Sequence, residues 1–164
     1  MQLCISAVFA ALTFLGTFFF KIPFGTGGYL HLGDAFILIA AVLVKKPYAT
    51  GAAAIGAGLA DIIGGFAAWA PFTMIIKAAM VLCFLLVKSN NILSFAAIAS
   101  AVVAGIVNIL GYYLAEWILY GNFFAPLISV PWNALQSLFG IVIFCIAGFV
   151  FKAPPIKRMI DKIK

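Results

Sequence analysis

The chain consists of long apolar stretches that are interrupted by short polar clusters or by Pro and Gly residues. Most of the stretches approach the ~20 residues that a helix needs to cross the hydrocarbon core of a bilayer. The pattern therefore predicts an all-α membrane protein with six transmembrane helices in a single integral membrane domain, residues 1–164. The helices are expected at about residues 2–20, 32–44, 48–66, 71–87, 92–118 and 132–151, followed by a basic tail at 152–164.

Composition narrows the class of protein further. Of the 164 residues, 66% are hydrophobic and 9% are charged, whereas soluble domains average roughly 25% charged residues. No room remains for a soluble domain beside the six stretches. The net charge of +6 arises largely from the tail, which holds five of the ten cations. This placement favours an anchor at the membrane surface, so we expect a lipid bilayer around the chain and no nucleic-acid partner.

The distribution of lysines predicts the orientation. With six spans, Lys45, Lys46, Lys88 and the tail share one side of the membrane, and Lys21 lies on the other. Because cytoplasmic loops are enriched in Lys and Arg, we expect both termini in the cytoplasm of a multi-pass protein of the bacterial cell membrane. The second stretch, 32–44, is too short to span upright. We therefore expect that connection 21–31 either dips into the protein or extends this helix.

The fifth stretch carries a polar stripe in its later part. Asn108, Tyr112 and Glu116 are spaced i, i+4, i+8, which places them on one face of a helix. With the N-terminus inside, this part of the helix lies in the outer half of the membrane. Polar groups at such depth are costly and indicate function.

Other helices bring polar residues to the same level. Asn133 and Gln136 lie near the start of the sixth stretch, while Asp61 and Lys77 lie near the outer ends of the third and fourth. Asp61 and Lys77 either neutralise each other or contact a ligand. Amides, a phenol and a carboxylate together suit a small heteroaromatic compound, which could stack on Tyr112 and Trp132. The candidate substrate-binding residues are Lys77, Asn108, Tyr112, Glu116, Trp132, Asn133 and Gln136.

The sequence shows no catalytic or energising motif. It lacks a Walker A loop, HExxH and GxSxG, and one histidine cannot build a multi-histidine metal site. We therefore expect no enzyme activity, no catalytic residue, no metal and no cofactor bound by this chain.

The segment "GTGGYLHLGD", residues 25–34, is predicted to form a lid over the polar residues. Gly27 and Gly28 supply flexible backbone, and Tyr29 lies beside them, so these three residues are the candidate gating loop. Asp34 is expected to cap the amides at the start of the second helix. His31 lies between hinge and cap and is the eighth candidate substrate-binding residue.

Small residues recur along the first helix, with Ala7 and Ala11 at i, i+4. This spacing lets another helix approach closely. Spacing alone favours packing inside the protein over contact with a second protein.

Four segments together resemble the substrate-binding S components of energy-coupling-factor (ECF) vitamin transporters. They are the AxxxA pattern of the first helix, "TGGYLHLGDAFILIAAVL", "GLADIIGGFAAWAPFTMIIKA" and "PWNALQ". The resemblance covers nearly the whole chain and is closest to the branch that carries hydroxymethylpyrimidine, other thiamine precursors, pyridoxine and riboflavin.

The resemblance implies a six-helix protein that captures a vitamin outside the cell for ATP-driven uptake. Its partners would be a transmembrane coupling protein of the EcfT type and two cytoplasmic ATPases of the EcfA type, which use the ATP. Ala7 and Ala11 match the contact with the coupling protein, which reverses the preference for internal packing. Asn108, Asn133 and Gln136 match substrate-binding positions, and the first loop matches the gate. His31 and Asp34 match the "HLGD" pattern, as substrate contacts or as a brace for the loop.

The residues rank the substrates without deciding among them. Tyr112 and Glu116 beside amides favour a hydroxymethylpyrimidine-type thiamine precursor or pyridoxine, and riboflavin is the alternative. A second hypothesis is a self-sufficient secondary carrier that uses Asp61 or Glu116 as a proton site. A third is a structural subunit whose polar groups only cross-link helices.

Overall fold

The computed structural model describes residues 1–20, 22–24, 28–87, 91–154 and 156. In this part of the chain it contains six α-helices, a β-hairpin and one 3-10 helix, which confirms the predicted all-α class with six helices. The predicted ends are close except in the fourth helix, which ends at Leu82 instead of residue 87 because the chain continues in turns. The elements are α1 Gln2–Phe18, β1 Ile22–Phe24, β2 Gly28–Leu30, α2 Gly33–Leu43, α3 Lys46–Ile63, α4 Ala70–Leu82, α5 Phe95–Tyr120, the 3-10 helix Ala125–Ile128 and α6 Val130–Val150.

Helix α2 lies at the centre of the bundle. It packs against α1, α3, α4 and α6, while α1, α3, α4, α5 and α6 follow one another around it. Every residue of α2 except Phe36 is buried. Its 11 residues span only about 16 Å, which explains why the second apolar stretch is so short. A helix that is enclosed by other helices does not need to match the thickness of the bilayer.

The connection between α1 and α2 contains a β-hairpin that the sequence did not predict. β1 and β2 pair antiparallel, with Ile22 opposite Leu30 and Phe24 opposite Gly28, and β2 lies against α6. Part of the predicted glycine-rich lid, Gly28–Leu30, is therefore a β-strand. Gly27, one of the predicted hinge residues, lies outside the described residues, as do Lys21, Lys88, Pro155 and residues 157–164 of the predicted basic tail.

Helix α1 shows the reverse of the polarity that is usual in a soluble protein. The buried residues of α1 are Ser6, Thr13, Gly16 and Thr17, all small or polar. Its exposed side chains include Leu3, Val8 and Leu15. Helices α5 and α6 are each long and apolar enough to cross a membrane. Large apolar side chains on the outside and polar ones within indicate a protein whose solvent is lipid.

Close packing of α1 on α3 depends on Gly56. A Cβ atom at this position would lie 2.5 Å from the backbone oxygen of Ala10 and 3.0 Å from the Cβ of Thr13. Because the first contact is to backbone, a side chain at position 56 requires the helices to separate. Gly51, five residues earlier in α3, has no such neighbour within 4 Å.

We expect Gly56→Ala to lower the free energy of unfolding by about 1–3 kcal/mol, the usual cost of overpacking. Gly51→Ala is the matched control, and it should be neutral or stabilise by up to about 1 kcal/mol, because alanine favours the helix. Thermal unfolding of both variants in detergent measures the difference. Equal unfolding temperatures for the two variants would contradict the described packing of α1 on α3.

Candidate binding site

A buried ion pair lies at the centre of the bundle. Lys77 of α4 is 0% exposed, and its Nζ donates to Oδ1 of Asp34 at 2.6 Å. Asp34, in the first turn of α2, is 1% exposed. The same Nζ donates to Oδ1 of Asn108 of α5 at 2.7 Å. Such a pair withstands the loss of hydration only because both groups have close partners.

Two residues of α6 complete this cluster. Gln136 donates from Nε2 to Oδ2 of Asp34 at 2.8 Å, so both oxygens of the carboxylate accept hydrogen bonds. Asn108 donates from Nδ2 to Oγ of Ser137 at 3.2 Å, and Ser137 donates to the backbone oxygen of Gly105 at 3.4 Å. We call Asp34, Lys77, Asn108, Gln136 and Ser137 the central network. It joins α2, α4, α5 and α6.

The network corrects two expectations about acidic residues. Lys77 forms its ion pair with Asp34, and Asp61 acts on Lys77 as a further electrostatic partner. The expected cap by Asp34 is also wrong, because α2 begins after Leu32 without a side-chain cap and Asp34 turns to Lys77. The attraction of a buried ammonium group outweighs the weaker bonds to helix amides.

His31 holds the start of α2. Its Nδ1 accepts a hydrogen bond from the backbone amide of Gly33 at 3.2 Å, and the residue is buried. His31 therefore braces the end of the hairpin connection, which is one of the two roles expected for the "HLGD" pattern. A contact between His31 and a cargo stays a prediction.

A second set of polar and aromatic residues lies one or two helical turns beyond Asn108 along α5. The hydroxyl groups of Tyr112 and Thr73 are 3.2 Å apart, and the Tyr112 ring lies 6.4 Å from that of Trp69, between centroids. Glu116 is buried and lies close to Ser129, which precedes α6. We call Trp69, Tyr112, Glu116, Trp132 and Asn133 the upper group.

The central network and the upper group are in contact at Tyr112. The Nζ of Lys77 lies 5.1 Å from the centroid of the Tyr112 ring, within the range of a cation–π interaction. The predicted stripe of Asn108, Tyr112 and Glu116 thus faces the other helices, with the first and last residue buried. Asn133 is also buried, and Trp132 beside it is 38% exposed.

Chemically, the two clusters differ in what they offer a ligand. In the central network the side chains satisfy one another, and the charges of Lys77 and Asp34 cancel. The upper group contains aromatic rings, a carboxylate and an amide, so it offers stacking surfaces together with donors and acceptors. No group of three metal-ligating side chains occurs among the described residues.

Sequence reasoning missed Ser137, Thr73 and the role of Asp34 in this site. Thr73 precedes Lys77 by one helical turn, and Ser137 follows Gln136 directly. Both therefore lie beside residues that were singled out, and helical spacing identifies Thr73 in particular. The partner of Asp34 is 43 residues away, where spacing gives no signal.

The small residues of α1 divide between two surfaces. Ala7 and Ala11 are exposed, whereas the backbone of Ala10 packs on Gly56 of α3. The i, i+4 pair is thus available at the surface of the chain.

These features define a class of protein: a helical membrane protein with a cluster of polar and aromatic residues enclosed by an apolar bundle. The chain belongs to the S components of ECF-type riboflavin transporters, whose family model matches residues 1–152. The predicted identification as an ECF S component is therefore confirmed. The chain is also similar to a protein of Pyrococcus woesei that is named "Uncharacterized protein in gap 3'region". The two sequences are 28% identical over 135 residues, and the matched region covers 82% of this chain and 84% of the relative.

Proposed function

We propose that this chain captures a water-soluble heteroaromatic vitamin at the outer face of the cell membrane and delivers it for ATP-driven uptake. The observation that carries the proposal is the convergence of polar side chains from α2, α4, α5 and α6 inside an apolar bundle. Membership in a family of transporter S components supports the transport role. The six-helix bundle as a whole spans the membrane, with both termini in the cytoplasm, as the distribution of lysines predicts.

Riboflavin is the first cargo to test. The ranking from sequence placed hydroxymethylpyrimidine-type precursors and pyridoxine first, but the matched family is that of riboflavin transporters, which supports the larger cargo. The smaller rings remain the second candidate because the side chains of the central network already bond to one another. A small cargo would disturb fewer of these hydrogen bonds than riboflavin would.

We place the cargo against the upper group, with the central network as its floor. The rings of Tyr112 and Trp132 supply stacking faces, while Glu116 and Asn133 supply an acceptor and an amide. The cargo then rests on the central network. In this arrangement Lys77, Asn108 and Gln136 affect cargo binding mainly by holding that network in place. The hairpin with Gly28 and Tyr29 leads into α2 beside this site and acts as the gate.

The partners in this proposal are an EcfT-type coupling protein and two EcfA-type ATPases. S components in general work with such partners, which hydrolyse the ATP. Ala7 and Ala11, exposed on α1, form the contact with the coupling protein.

Binding by the purified chain tests the proposal. In detergent, the chain alone should quench the fluorescence of riboflavin saturably, or bind a pyrimidine or pyridoxine in calorimetry. Vesicles that contain only this chain should not accumulate the vitamin under a proton gradient, and addition of the coupling protein and ATPases should start uptake. Uptake by the chain alone, driven by protons through Asp61 or Glu116, would instead favour a secondary carrier.

Asn133→Ala is the sharpest test of the cargo position. We expect the dissociation constant of the bound vitamin to rise by about 5- to 150-fold, the equivalent of about 1–3 kcal/mol for a lost buried hydrogen bond. Thr50→Ala, near the opposite end of the bundle, is the control and should leave affinity unchanged. Gln136→Ala is less suitable because it also removes a bond to Asp34. An unchanged dissociation constant in Asn133→Ala would move the cargo away from the upper group.

A further inference from the structure

A cleft of about 180 Å³ lies at the end of α2 that is remote from the central network. Asp34 occupies the first turn of α2 and Val42 the last, so about 12 Å of helix separates the cleft from the network. Its lining consists of Gln2, residues 42–44, Lys45, Lys46 and Val87. The cleft is thus formed where α2 meets α3 and the first residues of α1, away from the upper group.

Two lysines, Lys45 and Lys46, line this cleft, and its lining contains no carboxylate. The half-buried Lys46 donates from Nζ to the backbone oxygen of Ala41. An ammonium group has three donors, so further donors remain for a ligand. Lys45 is exposed, and its backbone amide donates to Oε1 of Gln2 at 3.1 Å, which fixes the connection against α1.

The acidic residues of the described chain lie elsewhere. Asp34 and Glu116 belong to the central network and the upper group, and Asp61 lies near the far end of α3 from Lys46. Positive charge in the cleft is therefore not balanced by the protein's own side chains in its lining. The ligand that fits is an anion.

Apolar side chains also line the cleft, and exposed apolar residues adjoin its lining residues in the chain. Leu3 follows Gln2 and is 69% exposed, and Leu86 precedes Val87 and is 88% exposed. In a membrane protein such side chains meet acyl chains. An occupant that satisfies both the lysines and these apolar side chains carries an anionic head and apolar tails.

We propose that this cleft binds the phosphate headgroup of an anionic phospholipid. Lys45 and Lys46 contact the phosphate, and Leu3 and Leu86 lie against the acyl chains. This site is independent of the vitamin site at the other end of α2. Its occupation ties α1, α2 and α3 together at the membrane surface, so it also stabilises the fold.

Short-chain phosphatidylglycerol, added to the purified full-length chain in detergent, is the probe. It should raise the unfolding temperature saturably, whereas short-chain phosphatidylcholine and inorganic phosphate should not. Lys45→Gln should weaken the affinity for phosphatidylglycerol roughly fivefold, and Lys45→Gln with Lys46→Gln roughly twenty-fivefold. Native mass spectrometry of the retained lipid gives a second measurement of the same affinities.

Lys152→Gln is the matched control. Lys152 is exposed just beyond the end of α6 and is not part of the lining, so its removal changes the net charge equally without touching the cleft. Should Lys46→Gln unfold the protein, Lys45→Gln alone carries the test because its side chain is exposed.

Any one of several results would overturn the proposal. They are equal affinity of the wild type and the lysine variants for phosphatidylglycerol, an equal loss in Lys152→Gln, and no preference for phosphatidylglycerol over phosphatidylcholine. Displacement of phosphatidylglycerol by inorganic phosphate at similar concentrations would identify a site for a soluble anion and also overturn it.

Discussion

Replacing Lys77 with Met is expected to lower the free energy of unfolding by about 3–5 kcal/mol, the usual cost of leaving one member of a buried ion pair behind. The ammonium group of Lys77 is the partner of Oδ1 of Asp34, and Asp34 is 1% exposed. Methionine fills a similar volume without offering a donor. The same change also removes the hydrogen bond to Asn108, so two buried acceptors lose a partner.

The experiment combines this variant with a second one. Lys77→Met with Asp34→Asn removes both charges, so it should recover most of the lost stability. Lys152→Met, at an exposed position, is the control for the loss of one positive charge and should cost little. Thermal or denaturant unfolding in detergent measures all three. A double variant that is as unstable as Lys77→Met would show that the unpaired carboxylate is not the cause.

The central network also constrains the proposed vitamin site. Its side chains come from four helices, and each helix is held by at least one hydrogen bond to another. These bonds restrain the side chains of the network, and the ring contact with Lys77 positions Tyr112. A preorganised site of this kind binds cargo without first ordering its own side chains.

The sequence predicts the helices well because their apolar stretches are long and bounded by polar clusters. It predicts the inward stripe of Asn108, Tyr112 and Glu116 for a similar reason, since helical spacing is local. The sequence predicts a helix cap at Asp34 because its position in the chain, before an apolar run, is that of a cap. Its actual partners are 43 and 102 residues away, and no local pattern reports them.

The hairpin and the central position of α2 also depend on the three-dimensional arrangement. The strands are three residues each, and glycines beside them favour a loop in any reading of local propensity. Their pairing joins Ile22 to Leu30, which lie on either side of the glycine-rich segment. The shortness of α2 was visible in the sequence, but its cause is that other helices enclose it on several sides.

The second large effect concerns assembly, and it rests on the proposed transport function. Ala7→Leu and Ala11→Leu are each expected to weaken association with the coupling protein by about 1–3 kcal/mol, and the double variant should abolish copurification. Both alanines are exposed on α1, whereas the neighbouring Ala10 packs on Gly56 of α3. A leucine at either exposed position therefore leaves the bundle intact but prevents another helix from approaching closely.

Coexpression with the coupling protein and ATPases, followed by affinity purification, measures this effect. Ala96→Leu makes the same change at an exposed position of α5 and should copurify at the normal yield. Vitamin binding by the isolated Ala7→Leu and Ala11→Leu chains should match the wild type, because α1 contributes no residue to the upper group. Normal copurification of the double variant would assign the partner to another face of the bundle, whereas loss of vitamin binding would show that leucine disturbs the fold.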